Sequence, residues 1–365
     1  MPLSPSGSDP ISGGSPRPGP RNNSGFWKGA AFLGLFLLGV SLLAHVAFWF
    51  DLPGAGLSAR AATKDSSLEE VILKEGKGLH KIAVVDVSGI ISGDPIDHQG
   101  QRLVESVEHQ LSRCASDASV RAVILKIDSP GGEVLASDDL SRLLAKFQVK
   151  HAKPVVASMG SVAASGGYYI AAPCQWIVAN ELTVTGSIGV IMHAYNYRGL
   201  MDKVGVRPEV YKSGRFKDML SGDKRENEIS TEEKEMVQNM INETFGRFKQ
   251  VVQEGRNNAA LKNKGNGRSL AADWGLYADG RILTGKQAFE SGFIDELGNF
   301  DTAVERAEKI AGIEEATLVT FQHVYSLSSL LRLFGQGEAR HAVKLDLGLD
   351  IPDLKVGRPY FLWMP

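Results

Sequence analysis

A serine flanked by small residues is the feature of this sequence that most directly suggests chemistry. Ser165 lies in the run Gly160–Ala172, after the apolar run Lys153–Met159 and before a segment of helical character. A serine at such a strand-to-helix turn is accessible to a substrate, and the N–H groups at the helix start can face a developing negative charge. Ser165 is therefore a candidate nucleophile; the alternative is a buried serine in a glycine-rich packing turn.

A Pro-Gly-Gly turn at residues 130–132 could stabilise that charge. It follows the apolar run 122–125 and precedes a helical pattern over Leu135–Phe147. Glycine leaves backbone N–H groups uncovered by side chains, so these donors could form an oxyanion hole or pair with an extended peptide. The alternative is an ordinary β-turn, because Pro-Gly is a common turn dipeptide.

The segment Val210–Asp218 contains two lysines that could activate the serine. A serine hydroxyl is a poor nucleophile until a base takes its proton, and a lysine can be that base if burial keeps it neutral. Lys217 is the candidate and Lys212 the second choice, although spacing alone does not decide between them. The alternative for either lysine is a solvated surface charge.

In this order, the three segments resemble the signal peptide peptidase A family, the membrane-anchored bacterial Ser/Lys proteases. The resemblance covers roughly residues 82–308 and includes the downstream runs 279–288 and 292–298. It implies a nucleophile at Ser165, a general base at Lys217, and oxyanion donors at the backbone N–H groups of Gly132 and Gly166. Many short members carry a third glycine where this chain has Glu133, a difference that could narrow the substrate groove or add a charge to it.

The resemblance also implies a fold, substrates and an assembly. The fold would be α/β, of the Clp/crotonase type with stacked ββα units, preceded by one transmembrane helix. The substrates would be apolar, extended remnant signal peptides, and neither a cofactor nor a metal would be needed. The short, single-domain form would assemble as a homo-oligomeric ring, with the serine and the lysine of one site on adjacent subunits.

The resemblance also draws attention to two further side chains that could take part in catalysis, Ser187 and His193. Ser187 could hold the lysine amine by a hydrogen bond, or could be an ordinary loop serine. His193 is a rival base, because Clp-type proteases place a histidine at a similar distance after the serine, and histidine titrates near neutral pH. No aspartate is obviously placed to orient His193, so Lys217 is favoured.

The N-terminal sequence predicts a membrane anchor. Residues 1–28 are rich in Pro, Gly and Ser and are expected to be disordered, whereas residues 29–50 form an apolar run long enough to span a bilayer. Basic residues precede this run and Asp51 follows it, which predicts a cytoplasmic N-terminus and a catalytic domain outside the bacterial inner membrane. The rival is a signal peptide cleaved near residues 59–61, but the apolar run is longer than usual for one.

The remaining domain boundaries follow from the pattern of strands and helices. Residues 51–80 are expected to be a tether with a short helix over Ser66–Leu73, residues 81–322 the protease domain, and residues 323–365 a tail whose docking site the sequence does not reveal. Strands are predicted at 82–87, 122–127, 155–159, 176–179, 209–212 and 316–321, and helices at 100–115, 135–147, 164–172, 197–204 and 231–254. This alternation predicts an α/β fold. Gly255 is expected to end the long helix, and residues 257–272 to form a mobile loop.

Composition narrows the function classes. The 365 residues carry a formal net charge of −2, which gives no support for a nucleic-acid partner. The two cysteines, Cys114 and Cys174, have no metal-binding spacing and are expected to be buried thiols, with a disulfide as the alternative. Two other functions share the expected fold: a crotonase-type acyl-CoA enzyme and a catalytically silent membrane scaffold. The anchor disfavours the first, and the intact Ser165, Lys217 and Pro-Gly-Gly turn disfavour the second.

Overall fold

The computed structural model describes residues 32–39, 41, 68–94, 102–323 and 358–363. The chain divides into two compact units, residues 1–63 and residues 64–365. In the first unit, residues 32–39 of the predicted anchor are helical with exposed side chains, and the rest of residues 29–50, apart from residue 41, lies outside the described residues. Within the described ranges, no helix combines the length and apolar character needed to cross a bilayer.

A mostly parallel sheet organises the second unit. Its strands are β1 (Leu68–Lys74), β2 (Lys81–Ser88), β3 (Val120–Ser129), β5 (Val155–Ala164), β6 (Trp176–Ala179), β7 (Val184–Gly186), β8 (Ile282–Thr284), β9 (Glu296–Leu297) and β10 (Thr317–His323). Their order is β1-β10-β2-β3-β5-β6-β9, with β7 pairing both β5 and β8. A separate pair joins β4 (Gly131–Glu133) to β11 (Tyr360–Leu362). The predicted α/β class is confirmed.

Helices cover both faces of this sheet, which is why its central strands are almost continuously apolar. The helices are α1 (Leu103–Ser116), α2 (Val134–His151), α3 (Gly166–Ala171), α4 (Arg198–Val204), α5 (Thr231–Lys262), α6 (Gly285–Glu290) and α7 (Phe300–Ala311). Buried side chains of α1, α2, α3 and α5 form the larger core, and those of α7 pack on the opposite face. The described part of α4 buries none of its side chains.

Two predicted elements are wrong. The helix expected over Ser66–Leu73 is strand β1, which pairs antiparallel with β10 from Leu68 onward. Its β-branched residues suit the sheet edge, and that long-range pairing overrides the local helical pattern. The strand expected over Glu209–Lys212 has no regular structure, because its residues are exposed and pair with no described strand.

Gly255 does not end the long helix α5, contrary to the prediction from the sequence. A capping box of Ser230 and Glu233 begins α5, and the helix continues through Gly255 to Lys262. A Cβ atom at Gly255 would overlap the backbone carbonyl of Ala172, so this glycine permits close packing against the end of α3. Residues 257–262, expected in a loop, are therefore helical, and only residues after Lys262 leave the helix.

Candidate active site

Ser165 occupies the turn between β5 and α3, where its backbone is strained. Its φ is +52° and its ψ is −116°, a conformation that residues other than glycine rarely adopt, and its side chain is buried. Such strain costs about 1–3 kcal/mol and persists only where the surroundings enforce it. A hydrogen bond of 2.8 Å from the Ser165 N–H to the Gly186 carbonyl ties this turn to β7.

The Pro-Gly-Gly turn lies against the serine turn. Gly131 has a φ of +101°, and a Cβ atom there would stand 2.6 Å from the backbone nitrogen of Gly166. A Cβ atom at Gly166 would stand 3.1 Å from Gly131 Cα and 2.7 Å from the Ser137 hydroxyl. The two glycine turns predicted from the sequence therefore come together at Ser165, and the absence of side chains is what allows it.

Ser187 follows Gly186 and shares the strained character of the site. Its φ is +50°, its side chain is buried, and its N–H donates a hydrogen bond of 2.8 Å to the Arg281 carbonyl. Ser187 lines a groove of about 580 Å³ together with Ile191, Leu362 and Trp363. The groove therefore begins beside the serine turn and extends along the C-terminal strand.

The strand β11 forms one wall of this open space and fills the adjoining part of the groove, between β4 and Ile191, as a bound peptide would. It runs antiparallel to β4, with Tyr360 opposite Glu133, Phe361 opposite Gly132 and Leu362 opposite Gly131. On its other side, the N–H of Tyr360 donates to the Ile191 carbonyl at 2.9 Å, and the Ile191 N–H donates back at 3.1 Å. Part of the C-terminal tail, residues 360–362, thus adds a strand between two backbone segments of its own chain.

The carbonyl of Phe361 lies between the two glycine turns. The Trp363 N–H donates to Pro130 at 2.8 Å, and hydrogen-bonded pairs alternate along an antiparallel ladder. The pair Phe361–Gly132, two positions away, is therefore a hydrogen-bonded one, with the Gly132 N–H directed at the Phe361 oxygen. A Cβ atom at Gly166 would lie 3.0 Å from that oxygen. Both predicted oxyanion residues thus adjoin one peptide carbonyl.

The ring of Phe361 fills an aromatic pocket beside the serine turn. It is fully buried, with its ring centroid 4.8 Å from that of Tyr169 and 4.6 Å from that of Phe248. The Tyr169 hydroxyl donates a hydrogen bond of 2.6 Å to Asp138. Burial raises the pKa of that carboxyl, but the hydrogen bonds from Tyr169 and Arg142 outweigh burial, so the pKa lies below its usual value.

The two lysines differ in their surroundings. Lys217 is exposed, and among the described residues its amine has no hydrogen-bond or ion-pair partner. The Lys212 amine binds both carboxylate oxygens of Asp218, at 2.9 and 2.8 Å, and thereby lowers the pKa of that carboxyl. No hydrogen bond within the described residues connects either lysine to Ser165.

The structure also describes His193, the rival candidate for the base, and the two cysteines. His193 keeps a buried Nε2 atom that has no hydrogen-bond partner among the described residues. Cys114 and Cys174 are free and buried, and burial raises the pKa of each thiol to about 12. In the part of the chain that the structure describes, no group of three or more His, Cys, Asp or Glu side chains is arranged to hold a metal ion.

The aromatic pocket and the strand that fills it could not be predicted from local sequence patterns. Tyr169 lies in the run 160–172, but no pattern in the sequence connects it with Phe248, and Phe361 lies almost two hundred residues after Ser165. The only signal was the aromatic end of the chain, Tyr360–Trp363, because exposed apolar segments usually dock on a surface.

Comparison with known proteins identifies a family of peptidases to which this chain is similar. Residues 147–314 match the description of peptidase family S49. Over 265 residues, 71% of this chain, it is 34% identical to a protein of Enterococcus faecium named as signal peptide peptidase SppA, of which 72% is covered. It is 39% identical over 64% of its length to a protein named as a protease in Synechocystis sp., of which 76% is covered.

More distant similarities include a longer protein and a solved structure. Protease 4 of Haemophilus influenzae is 31% identical over 76% of this chain, which covers 43% of that protein. The solved structure is a mutant of a membrane-bound stomatin-specific protease, 13% identical, with a TM-score of 0.38 over 67% of this chain and 99% of the other. That TM-score is too low to support any argument about this chain.

Proposed function

This chain belongs to peptidase family S49, the family of signal peptide peptidase A, and from that premise we propose that it is a membrane-anchored serine endopeptidase that uses Ser165 and a lysine. The observation that carries the proposal is the position of Ser165. Its strained turn meets the Pro-Gly-Gly turn, and a peptide carbonyl lies between Gly132 and Gly166. A substrate carbonyl in that position would meet a nucleophile and two backbone donors together.

The reaction follows from these groups. A neutral lysine accepts the proton of the Ser165 hydroxyl while the serine oxygen attacks the carbonyl carbon of the substrate. The N–H groups of Gly132 and Gly166 stabilise the oxyanion of the tetrahedral intermediate. The protonated lysine then gives its proton to the leaving amine, which produces an acyl-enzyme. Water, deprotonated by the same lysine, hydrolyses this ester and releases the second product.

We propose that the lysine comes from a neighbouring subunit of a ring. Among the residues that the structure describes, no lysine is hydrogen-bonded to Ser165, and Lys217 is exposed with an amine that none of them pairs. An exposed, unpaired lysine is free to enter the site of another copy. Lys217 is the first candidate, because Lys212 would have to leave its ion pair with Asp218. Ser187, at the mouth of the groove, would hold the lysine amine.

Mixing inactive subunits tests this arrangement. Ser165→Ala and Lys217→Ala chains should each be inactive, and mixed assemblies, verified by native mass spectrometry, should recover part of the peptidase activity. As a control, Ser165→Ala chains mixed with the double variant Ser165→Ala/Lys217→Ala should stay inactive, because neither partner supplies a serine. If verified mixed assemblies of the single variants also remain inactive, the site is not shared in this way.

The proposed location is the bacterial inner membrane, with the catalytic domain outside the cytoplasm. The apolar run 29–50 and the basic residues before it support this orientation. Remnant signal peptides are the proposed substrates, since they are apolar and extended and lie in the same membrane. Protease added outside spheroplasts should digest the catalytic domain and spare the N-terminal segment. Protection of the whole chain would contradict both the orientation and the substrate.

A further inference from the structure

Glu133 places a negative charge beside the peptide-binding groove. Its side chain is only 12% exposed, and one carboxylate oxygen accepts a hydrogen bond of 3.0 Å from the Gly93 N–H. This bond comes from the loop after β2, so it holds the carboxylate whether or not the groove is filled. The other oxygen is 2.6 Å from the Arg358 guanidinium, just before β11. Glu133 is therefore an oriented carboxylate with one oxygen available to a ligand.

The strand pairing fixes how far this charge lies from the reacting carbonyl. Arg358 precedes Phe361 by three residues, and the carbonyl of Phe361 is the one between Gly132 and Gly166. Any extended peptide that pairs with β4 in the same register would present its residue three positions earlier to Glu133. The bound strand thus reports the register in which a substrate would lie.

Other charges around Arg358 favour a cation as well. The Glu133 carboxylate raises the pKa of the Arg358 guanidinium, and the charge of Asp94 raises it further. The cavity around Arg358 is also lined by Asp138, Glu243 and Arg247. Arg142, at 2.6 Å, and Arg247, at 3.4 Å, both pair with Asp138, so these two cations offset Asp138 and Glu243 and leave the charges of Glu133 and Asp94 uncompensated by this cluster. This end of the groove therefore carries an excess of negative charge.

We propose that Glu133 is a specificity-determining residue that selects an arginine or lysine three residues before the residue whose carbonyl is attacked, which is the fourth residue before the cleaved bond. The proposal rests on the proposed peptidase function and adds the substrate class: extended peptides with a basic residue followed, after three positions, by an aromatic or large apolar residue at the cleaved bond. The aromatic pocket of Tyr169 and Phe248 accounts for the second requirement, and Glu133 for the first.

Peptide binding to a catalytically inactive chain tests the proposal without relying on turnover. The full chain with Ser165→Ala is titrated with fluorescent peptides of the sequence of residues 358–363, carrying Arg, Lys, Gln or Glu at the first position. The chain's own strand competes equally with every peptide, so it cancels from the ratio of two affinities. We expect the Arg and Lys peptides to bind at least about fivefold more tightly than the Glu peptide, with Gln between them. In the active chain, kcat/KM should follow the same order.

Variants at Glu133 decide whether this residue causes the preference for a basic residue at the first position of the peptide. Glu133→Lys should reverse the order of the Arg and Glu peptides, and Glu133→Gln, which keeps the size of the side chain, should remove most of the preference. Glu290→Lys is the matched control: it makes the same charge change at an exposed position that does not line this cavity and should leave the order intact. Equal affinities in the parent chain, or an order unchanged by Glu133→Gln, would overturn the proposal. Binding with this preference but no cleavage in the active chain would contradict the peptidase function instead.

Discussion

The backbone N–H of Ser165 donates a hydrogen bond of 2.8 Å to the carbonyl oxygen of Gly186, so the turn after β5 is fastened to the last residue of β7. Gly186 and Ser187 both have positive φ angles, as Ser165 does. The strained conformation of Ser165 is thus held by a hydrogen bond to a neighbouring turn whose residues also have positive φ angles. The conformational strain is located where the proposed nucleophile adjoins the groove.

Replacing Gly131 by alanine should abolish peptide hydrolysis and destabilise the fold. A Cβ atom there would overlap the position of the Phe361 carbonyl oxygen and lie 2.6 Å from the Gly166 nitrogen, and φ is +101°. Loss of kcat/KM in a peptide assay, with a lower Tm, is the expected result. Gly312→Ala is the control, since Gly312 lies at the end of α7, away from the groove, with a φ of +65° and no atom within 4 Å of its Cβ position. It should lose about 1–2 kcal/mol of stability from strain and keep its activity; equal activity in both variants would contradict the account.

Substituting the two lysines separately should identify the base. Lys217→Ala and Lys217→Arg should both lose turnover, because a guanidinium does not release its proton, and Lys212→Ala should retain most of it. His193→Ala should also remain active. In the parent chain, kcat should rise on the alkaline side of neutral, because the neutral fraction of a lysine grows with pH. Loss of activity in Lys212→Ala with an active Lys217→Ala would transfer the role to Lys212.

Emptying the groove should increase activity on added peptides. The strand 358–363 occupies the groove in a substrate-like register, and a tethered segment competes at a high effective concentration. Deleting residues 358–365 should raise kcat/KM by about tenfold at unchanged assembly. Phe361→Ala in the full chain, which removes the ring from its aromatic pocket, should give a smaller increase. A decrease in both variants, with their folding verified by circular dichroism, would show that the strand supports the site and does not compete for it.

Tyr169→Phe should reveal the contribution of the hydrogen bond to Asp138. It keeps the ring against Phe361 but removes the 2.6 Å hydrogen bond, so the free energy of unfolding near pH 7 should fall by about 1–2 kcal/mol. The Asp138 pKa is lowered in the folded chain, so its stabilising contribution is present above the usual pKa of 3.8 and is lost as the pH falls through the lower, folded value. The difference between parent and variant should therefore shrink in acid. A difference that stays constant down to pH 2 would exclude the ionised Asp138 as its source.

The sequence identified the parts of the molecule whose signals are local. The buried parallel strands are continuous apolar runs, and glycines mark the turn between a strand and a helix at Ser165, so the sequence predicts both of these features of the fold. The misplaced elements depend on distant partners. Strand β1 exists because β10 lies beside it, and Gly255 is needed by the Ala172 carbonyl rather than by a helix end. The docking of Phe361 beside Ser165 is likewise a long-range contact that no local pattern encodes.

Membership of peptidase family S49 argues against an acyl-CoA enzyme. A catalytically silent scaffold of the same fold would differ from an active peptidase only in the reactivity of its serine. The most direct measurement is therefore labelling of the full chain with a fluorophosphonate, followed by mass spectrometry to locate the adduct. The account predicts one adduct, on Ser165, that increases with pH and is absent in Ser165→Ala, while Ser187→Ala is still labelled. No adduct on an assembled, folded chain, or an adduct on another serine that persists in Ser165→Ala, would contradict it.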